Sequence, residues 1–145
     1  MQSDKVVVYL HLVWTTWDRL PLIPSDKERA LHDCIAAVAD KHRCQVIAIG
    51  GMPDHVHLLL KMPSTLQIGF LMQQLKGVSS RAANDELAFP ATVKWRGSYA
   101  AFSVSRWDVP KIAAYINNQK QHHAQGSTIE PLEVSGEETF SSSSE

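Results

Sequence analysis

Cysteine and long apolar runs are scarce in this chain of 145 residues. Its two cysteines, Cys34 and Cys44, do not form a CxxC pair, which argues against a disulfide framework and favours a reduced, cytoplasmic protein. No apolar run approaches the length of a membrane span, and the first residues lack the apolar core of a signal peptide. We therefore expect no membrane partner, and the length fits one domain with a real core.

Strong net charge is also lacking, since 14 basic and 15 acidic residues give a formal net charge of −1. The charges are unevenly spread, because residues 127–145 hold five glutamates and no lysine or arginine. Residues 1–126 therefore carry 14 basic against 10 acidic side chains, a net of +4, which suits a polyanion without requiring one. We expect residues 1–126 to form the domain and residues 127–145 to form an acidic, disordered tail.

The order of predicted elements is β-α-β-β-α-β-α. Runs rich in β-branched and aromatic residues predict four strands, at residues 6–14, 45–49, 55–62 and 95–104. Capping signals at Ser25, Ser64 and Asp108 predict the starts of three helices, the first two through the pattern of a capping box. This order is that of an α+β fold, a ferredoxin-like split βαβ antiparallel sheet with an additional C-terminal helix. Its first and third strands are central.

Two histidines open the third predicted strand. His55 and His57 alternate with Val56, so both imidazoles should face one side of the sheet while Val56 is buried on the other. Two imidazoles on one face of a rigid strand can provide two ligands of a divalent metal ion. Taken alone, such a pair is more often structural or merely exposed.

The last predicted helix carries Tyr115 and Gln119, which are four residues apart and so share one helical face. Brought near the histidines, they would make a phosphoryl-transfer site. The two imidazoles and the Gln119 oxygen would hold Mg²⁺ or Mn²⁺, and the Tyr115 hydroxyl would attack phosphorus. The alternative is a boundary tyrosine and a surface amide. The adjacent His122 and His123 diverge around a helix and are poor joint ligands.

The His55-Val56-His57 segment resembles the HUH motif of the HUH endonucleases, in which U is a hydrophobic residue. Tyr115 followed by Gln119 resembles their single-tyrosine transposase branch. Four blocks are similar, in family order, to the transposases of hairpin-ended insertion sequences and their REP-associated relatives: residues 11–16, 53–59, 75–80 and 115–119. The resemblance covers roughly residues 6–123.

This resemblance implies an enzyme that cuts single-stranded DNA at hairpin-bearing ends, keeps a 5′-phosphotyrosine and rejoins strands without ATP. It implies that His55, His57 and Gln119 are metal ligands and that Tyr115 is the nucleophile. It also implies a homodimer in which the tyrosine helix of one subunit can complete the metal site of the other. Residues 17–21 depart from the basic segment that many relatives have there, so no DNA sequence preference is carried over.

Several basic residues and one tryptophan are candidates for contact with DNA. Cations would track the phosphate backbone and the tryptophan would stack on bases. The candidates are Arg19, Lys76, Arg81, Lys94, Trp95, Arg96 and Arg106. For any one of these basic residues, the alternative is equally good: it is an ordinary solvated side chain on the surface and does not bind DNA.

Two other classes of function stay open at this stage. One is a non-catalytic ferredoxin-like module that binds hairpin DNA or RNA through its sheet without cutting it. The other is a small metallohydrolase that uses the histidines to activate water and leaves no protein-linked product. A domesticated relative that processes dispersed palindromes is a further variant of the transposase reading.

Overall fold

A computed structural model describes residues 4–120 of the chain. The predicted tail and the two adjacent histidines lie outside these residues. The elements, in chain order, are β1 Val8–Thr15, α1 Glu28–Lys41, β2 Gln45–Met52, β3 His55–Met62, α2 Ile68–Asn84, β4 Ala100–Val104 and α3 Val109–Asn117, with a 3₁₀ turn at Trp17–Arg19. Within this part of the chain, no helix has the length and apolar character needed to cross a membrane.

The four strands form one antiparallel sheet in the order β2-β3-β1-β4. The first and third strands are central, as the split βαβ order predicts. The ferredoxin-like α+β fold with an additional C-terminal helix is thereby confirmed.

One face of the sheet carries the main core. Alternate residues of β1 and β3 point toward α1 and α2, and their side chains are closely packed and excluded from water. The fully buried members include Leu12, Trp14, Leu31, Ile35, Val56, Leu58, Leu60, Leu71 and Leu75. This apolar face holds the two central strands rigid. It therefore fixes the positions of the side chains on the opposite face of the sheet.

The opposite face is covered by α3, which packs on β2 and β3 through a smaller cluster of Ala48, Leu59, Tyr115 and Ile116. Close approach is possible because Gly50 has no side chain: a Cβ there would overlap the carbonyl oxygen of Ile116. The sequence of β2 thus allows α3 to lie directly against the sheet.

The starts of two strands differ from those that the sequence predicts. The first strand begins at Val8 rather than Val6, because Val8 is the first residue with partners on β3, and Val6 and Val7 are exposed. The fourth strand begins at Ala100 rather than Trp95. Trp95 instead forms an isolated bridge with Thr16, just beyond the end of β1.

The predicted side-chain caps are absent. The residue before α1 is Lys27 and the one before α2 is Gln67, and neither makes a side-chain cap, so the proposed capping boxes at Ser25 and Ser64 are wrong. Backbone bonds fix the entry to α1 instead: Lys27 N donates to Pro24 O at 3.0 Å. Asp108 does precede α3, but its side chain makes no cap hydrogen bond.

Candidate functional site

The two histidines of β3 lie in the middle of the sheet, on the face that α3 covers. His57 is paired with Val13 of β1 on one side and with Gly50 of β2 on the other. Both imidazoles are almost wholly excluded from water, and their ring centroids are 5.1 Å apart. Strand alternation therefore brings them together as the sequence predicts, with Val56 in the main core behind them.

Tyr115 of α3 and Gln119, just beyond it, reach these histidines from the same chain. Gln119 Oε1 lies 3.2 Å from His55 Nε2. The Tyr115 ring stands nearly perpendicular to the His57 ring, with centroids 6.0 Å apart. Tyr115 is 4% exposed and Gln119 is 2% exposed, so neither is the boundary side chain that the alternative interpretation expects. All four predicted residues thus form one buried cluster.

A third histidine, His11 of β1, joins the cluster and was not singled out from the sequence. Its Nε2 lies 2.8 Å from His57 Nδ1, and the two rings are stacked. In this hydrogen bond one nitrogen carries the proton and the other accepts it. The contact engages Nδ1 of His57, so Nε2 is the nitrogen through which His57 could bind a metal ion.

Asp54 holds the other imidazole in a similar way. Its Oδ1 lies 2.6 Å from His55 Nδ1, and Arg19 Nε lies 3.4 Å from its Oδ2. Burial alone would raise the pKa of Asp54, but the hydrogen bond with His55 and the charges of His55 and Arg19 bring that pKa below its usual value. The carboxylate therefore engages Nδ1 and turns His55 Nε2 toward Gln119.

The side chains of this cluster could bind a divalent cation only if the Gln119 side chain is one of the ligands. Among residues 4–120, no three His, Cys, Asp or Glu side chains converge as a metal site. Two imidazole nitrogens, once deprotonated, and the Gln119 oxygen would nevertheless provide three ligands. Water and phosphate oxygens could complete the octahedral coordination that Mg²⁺ and Mn²⁺ prefer.

Lys120, next to Gln119, anchors the end of the tyrosine segment. Its Nζ donates to Glu28 Oε2 at 2.6 Å and to Gly51 O at 3.1 Å. It thereby joins the residues after α3 to the start of α1 and to the end of β2. Lys120, like His11 and Asp54, was not among the sequence-predicted site residues.

Two of the predicted DNA contacts have side chains that are engaged within the protein. Trp95 is 8% exposed, and its Nε1 donates to Ser79 Oγ at 3.1 Å, so it cannot stack on a base. Lys76 is half-buried and donates to Arg96 O at 2.5 Å. Burial lowers the pKa of Lys76. Lys76 thus anchors the loop at Arg96 rather than standing free to meet a phosphate.

Three other predicted cations gather near the histidine end of the sheet. Arg19 and Arg96, with Trp17 and Asp18, line a cavity of about 420 Å³. Lys94 Nζ lies 4.3 Å from the centroid of the Trp17 ring. A neighbouring cleft, also lined by Arg19, extends to Asp54 and His55.

The remaining two cations are elsewhere. Arg81 is exposed on α2, which packs on the sheet face opposite the histidines. Arg106 lies 4.4 Å from the Trp107 ring, just after β4. The end of β4 pairs with the start of β1, whereas His55 pairs with the end of β1. Arg106 therefore lies at the other end of the sheet from His55.

Comparison with known proteins gives matches over most of the chain. The family model described as IS200-like transposase matches residues 4–119. The ISDra2 transposase TnpA of Deinococcus radiodurans is 30% identical over 129 residues, which is 82% of this chain and 91% of that protein.

Two solved structures resemble the fold. A crystal structure of a transposase from Deinococcus radiodurans R1 is 29% identical, with a TM-score of 0.63 over 82% of this chain and 98% of that one. A REP-associated tyrosine transposase bound to a REP hairpin has a TM-score of 0.62 over 88% of this chain and 76% of that one. At 12% identity, this second likeness is one of fold alone. From the extent of the family match and of the ISDra2 relative, the chain belongs to the IS200-like transposases, DNA-processing enzymes of DNA transposition.

Proposed function

We propose that this transposase cuts and rejoins single-stranded DNA through a covalent bond to Tyr115. The observation that carries the proposal is the burial of Tyr115, Gln119, His55 and His57 in one cluster of a single chain. A tyrosine hydroxyl beside a set of cation ligands has the composition of a phosphoryl-transfer site. A structural role alone does not require all four of these side chains on one face.

The reaction would begin with attack of the Tyr115 oxygen on a backbone phosphorus. The new bond joins that oxygen to phosphorus, and the bond from phosphorus to the 3′ oxygen breaks, so the products are a 5′-phosphotyrosine and a 3′-OH. The phenolic proton is lost and the 3′ oxygen gains one. A second 3′-OH can reverse the process, and no ATP is needed because the phosphodiester bond is conserved in the link to Tyr115.

A divalent cation would be held by His55, His57 and Gln119. When bound, Mg²⁺ or Mn²⁺ would supply positive charge to polarise the scissile phosphate and to offset charge in the transition state. His11 and Asp54 would fix the two imidazoles by engaging Nδ1 of each ring. The exclusion of water around the cluster would strengthen these interactions.

The substrate we propose is a single strand that carries a hairpin. A fold relative was solved with a REP hairpin bound, which supports this choice of partner. Three cations near the histidines, Arg19, Lys94 and Arg96, suit the phosphate backbone. Tyr115, Gln119 and the histidines contact one another within one chain, and the homodimer stays a prediction.

The test is to incubate the protein with Mn²⁺ or Mg²⁺ and labelled single strands that carry hairpins, and to look for a product that survives denaturation. Tyr115→Phe should bind the strands and give no adduct. Tyr99→Phe is the matched control, since Tyr99 packs beside the main core on the other side of the sheet, and it should give the adduct normally. His55→Ala with His57→Ala should abolish metal-dependent cleavage.

Each other outcome identifies a different function. Binding of strands without any cleavage by the wild-type protein would indicate the non-catalytic hairpin-binding module. Cleavage that leaves no protein-linked product would indicate a metallohydrolase. Adduct formation by Tyr115→Phe would remove Tyr115 from the proposed role.

A further inference from the structure

An exposed tryptophan stands beside the candidate site where the sequence predicts no stacking residue. Trp17 is 51% exposed although it is large and aromatic. It lines the cavity of about 420 Å³ together with Asp18, Arg19 and Arg96, and we name this cavity the Trp17 pocket. An exposed ring beside two arginines has the composition of a surface that binds single-stranded nucleic acid.

The backbone around Trp17 is fixed rather than loose. Trp17 N donates to Lys94 O at 2.7 Å, and the Thr16 hydroxyl donates to Leu20 O at 2.6 Å. Asp18 and Arg19 adopt positive φ angles of 55° and 52°, which side-chain-bearing residues rarely do. A turn so held fixes the backbone that carries the indole, and a preorganised surface loses less entropy on binding.

The Trp17 pocket adjoins the cleft that reaches His55. Arg19 lines both this pocket and the neighbouring cleft that reaches His55. Arg19 also contacts Asp54, and Asp54 in turn holds His55. A strand that places one phosphate beside His55 would therefore bring an adjacent nucleotide to Trp17.

Resting on the proposed function, we propose that the Trp17 pocket holds one unpaired base of the single strand next to the scissile phosphate, stacked on the Trp17 indole. Stacking of a base on an aromatic side chain is stronger than an exposed cation–π contact, so the base replaces Lys94 over the ring. The Lys94 ammonium then meets the flanking phosphate, beside the guanidinium group of Arg96.

Asp18 gives the pocket a preference among bases. Asp18 lines the cavity, and a carboxylate can accept hydrogen bonds but cannot donate one. An unpaired guanine offers two adjacent donors to such an acceptor, N1–H and N2–H, whereas adenine and cytosine offer one exocyclic amino group and thymine offers one N3–H. The pocket therefore favours guanine.

Trp107 provides a matched control. It is 77% exposed and also has a cation over its ring, with Arg106 at 4.4 Å. It follows β4, whose last residue pairs with Tyr9, whereas Trp17 follows Thr15 at the other end of β1. Six residues of strand separate these two points, a distance of about 20 Å.

The experiment measures binding of a hairpin-bearing single strand to the Tyr115→Phe protein, so that cleavage does not interfere. Unpaired positions are replaced one at a time by abasic sites. One position should matter most, and loss of its base should weaken binding about 10-fold. Trp17→Ala should cause a similar loss and make that position insensitive, while Trp17→Phe should retain most of the binding and Trp107→Ala all of it.

Guanine at the sensitive position should bind more tightly than the other bases, and Asp18→Gly should remove this difference. Glycine suits the positive φ angle, so the turn is kept. Equal losses for Trp17→Ala and Trp107→Ala, or the absence of any sensitive position, would overturn the proposal. Because these are binding measurements, they fail separately from the proposed function, whose failure is a wild-type protein that forms no adduct.

Discussion

His11 Nε2 lies 2.8 Å from His57 Nδ1 across the two central strands of the sheet. The contact joins a residue inside the first apolar run of the sequence to the second histidine of the HUH-like motif. Both rings are fully buried, so the hydrogen bond is not exchanged with solvent. It therefore holds the orientation of an imidazole that we propose as a metal ligand.

Removing this hydrogen bond should weaken metal binding without unfolding the protein. We expect His11→Phe to lower the affinity for Mn²⁺ about 10-fold to 100-fold, which is the usual effect of losing the partner of a ligand histidine. His11→Gln, which can restore a polar atom near the position of Nε2, should lose less. Titration calorimetry measures both.

The control for this change is His42→Gln, on a half-buried histidine that follows α1 and packs against Phe70. It should leave the Mn²⁺ affinity unaltered. An unchanged affinity in His11→Phe would mean that His57 needs no positioning partner.

Asp54 should matter through the orientation of His55. We expect Asp54→Ala to weaken Mn²⁺ binding about 10-fold to 100-fold, and Asp54→Asn to weaken it less, because an amide oxygen can still accept from Nδ1. Circular dichroism should show the fold retained. Equal Mn²⁺ affinities in the wild type and in Asp54→Ala would argue against this role.

Gly50 should determine how closely α3, the helix that carries Tyr115, packs against the sheet. In Gly50→Ala the new methyl group overlaps Ile116 O, so α3 must shift away from the sheet and adduct formation should fall at least about 10-fold. Gly77→Ala, inside α2 with open space around the new methyl, should instead add about 0.5–1 kcal/mol to the free energy of unfolding. Urea unfolding and the adduct assay compare the two. Full activity in Gly50→Ala would show that the seating of α3 is not critical.

Packing rather than charge should hold the tyrosine helix on the sheet. Ile116 is 1% exposed, so Ile116→Ala should cost about 2–5 kcal/mol of unfolding free energy. The Lys120–Glu28 ion pair is half-exposed on the lysine side, and a double-mutant cycle with Lys120→Met and Glu28→Gln should give a coupling below about 1 kcal/mol. If the coupling energy between Lys120 and Glu28 exceeded the loss of unfolding free energy in Ile116→Ala, charge rather than packing would hold the helix.

Local patterns predict most of the fold and the faces on which the four clustered residues lie, whereas the proposed roles of these residues come from the family resemblance. Alternation along β3 determines which side His55 and His57 face, and a spacing of four residues puts Tyr115 and Gln119 on one face of α3. Both are properties of a single element. They can therefore be read without knowing how the elements pack.

The supporting residues depend on contacts between elements. His11 reaches His57 only through the register of β1 against β3, which residue patterns alone do not specify. The nearest signal is a histidine within an otherwise apolar strand. The sequence singles out Trp95 for stacking and not Trp17, because the burial of a loop residue depends on what packs over it. Trp95 is buried and donates its indole N–H to Ser79, whereas Trp17 is exposed.

The most direct test of the account is mass spectrometry of the trypsin-digested adduct formed with a single strand in Mn²⁺. Cleavage after Lys111 and Lys120 gives the peptide of residues 112–120, whose one tyrosine is Tyr115. We predict that this peptide carries a nucleotide through a 5′-phosphate and that chelation of the metal abolishes it. A nucleotide on the peptide of Tyr9 or Tyr99, or strand cleavage with no modified tyrosine, would contradict the account.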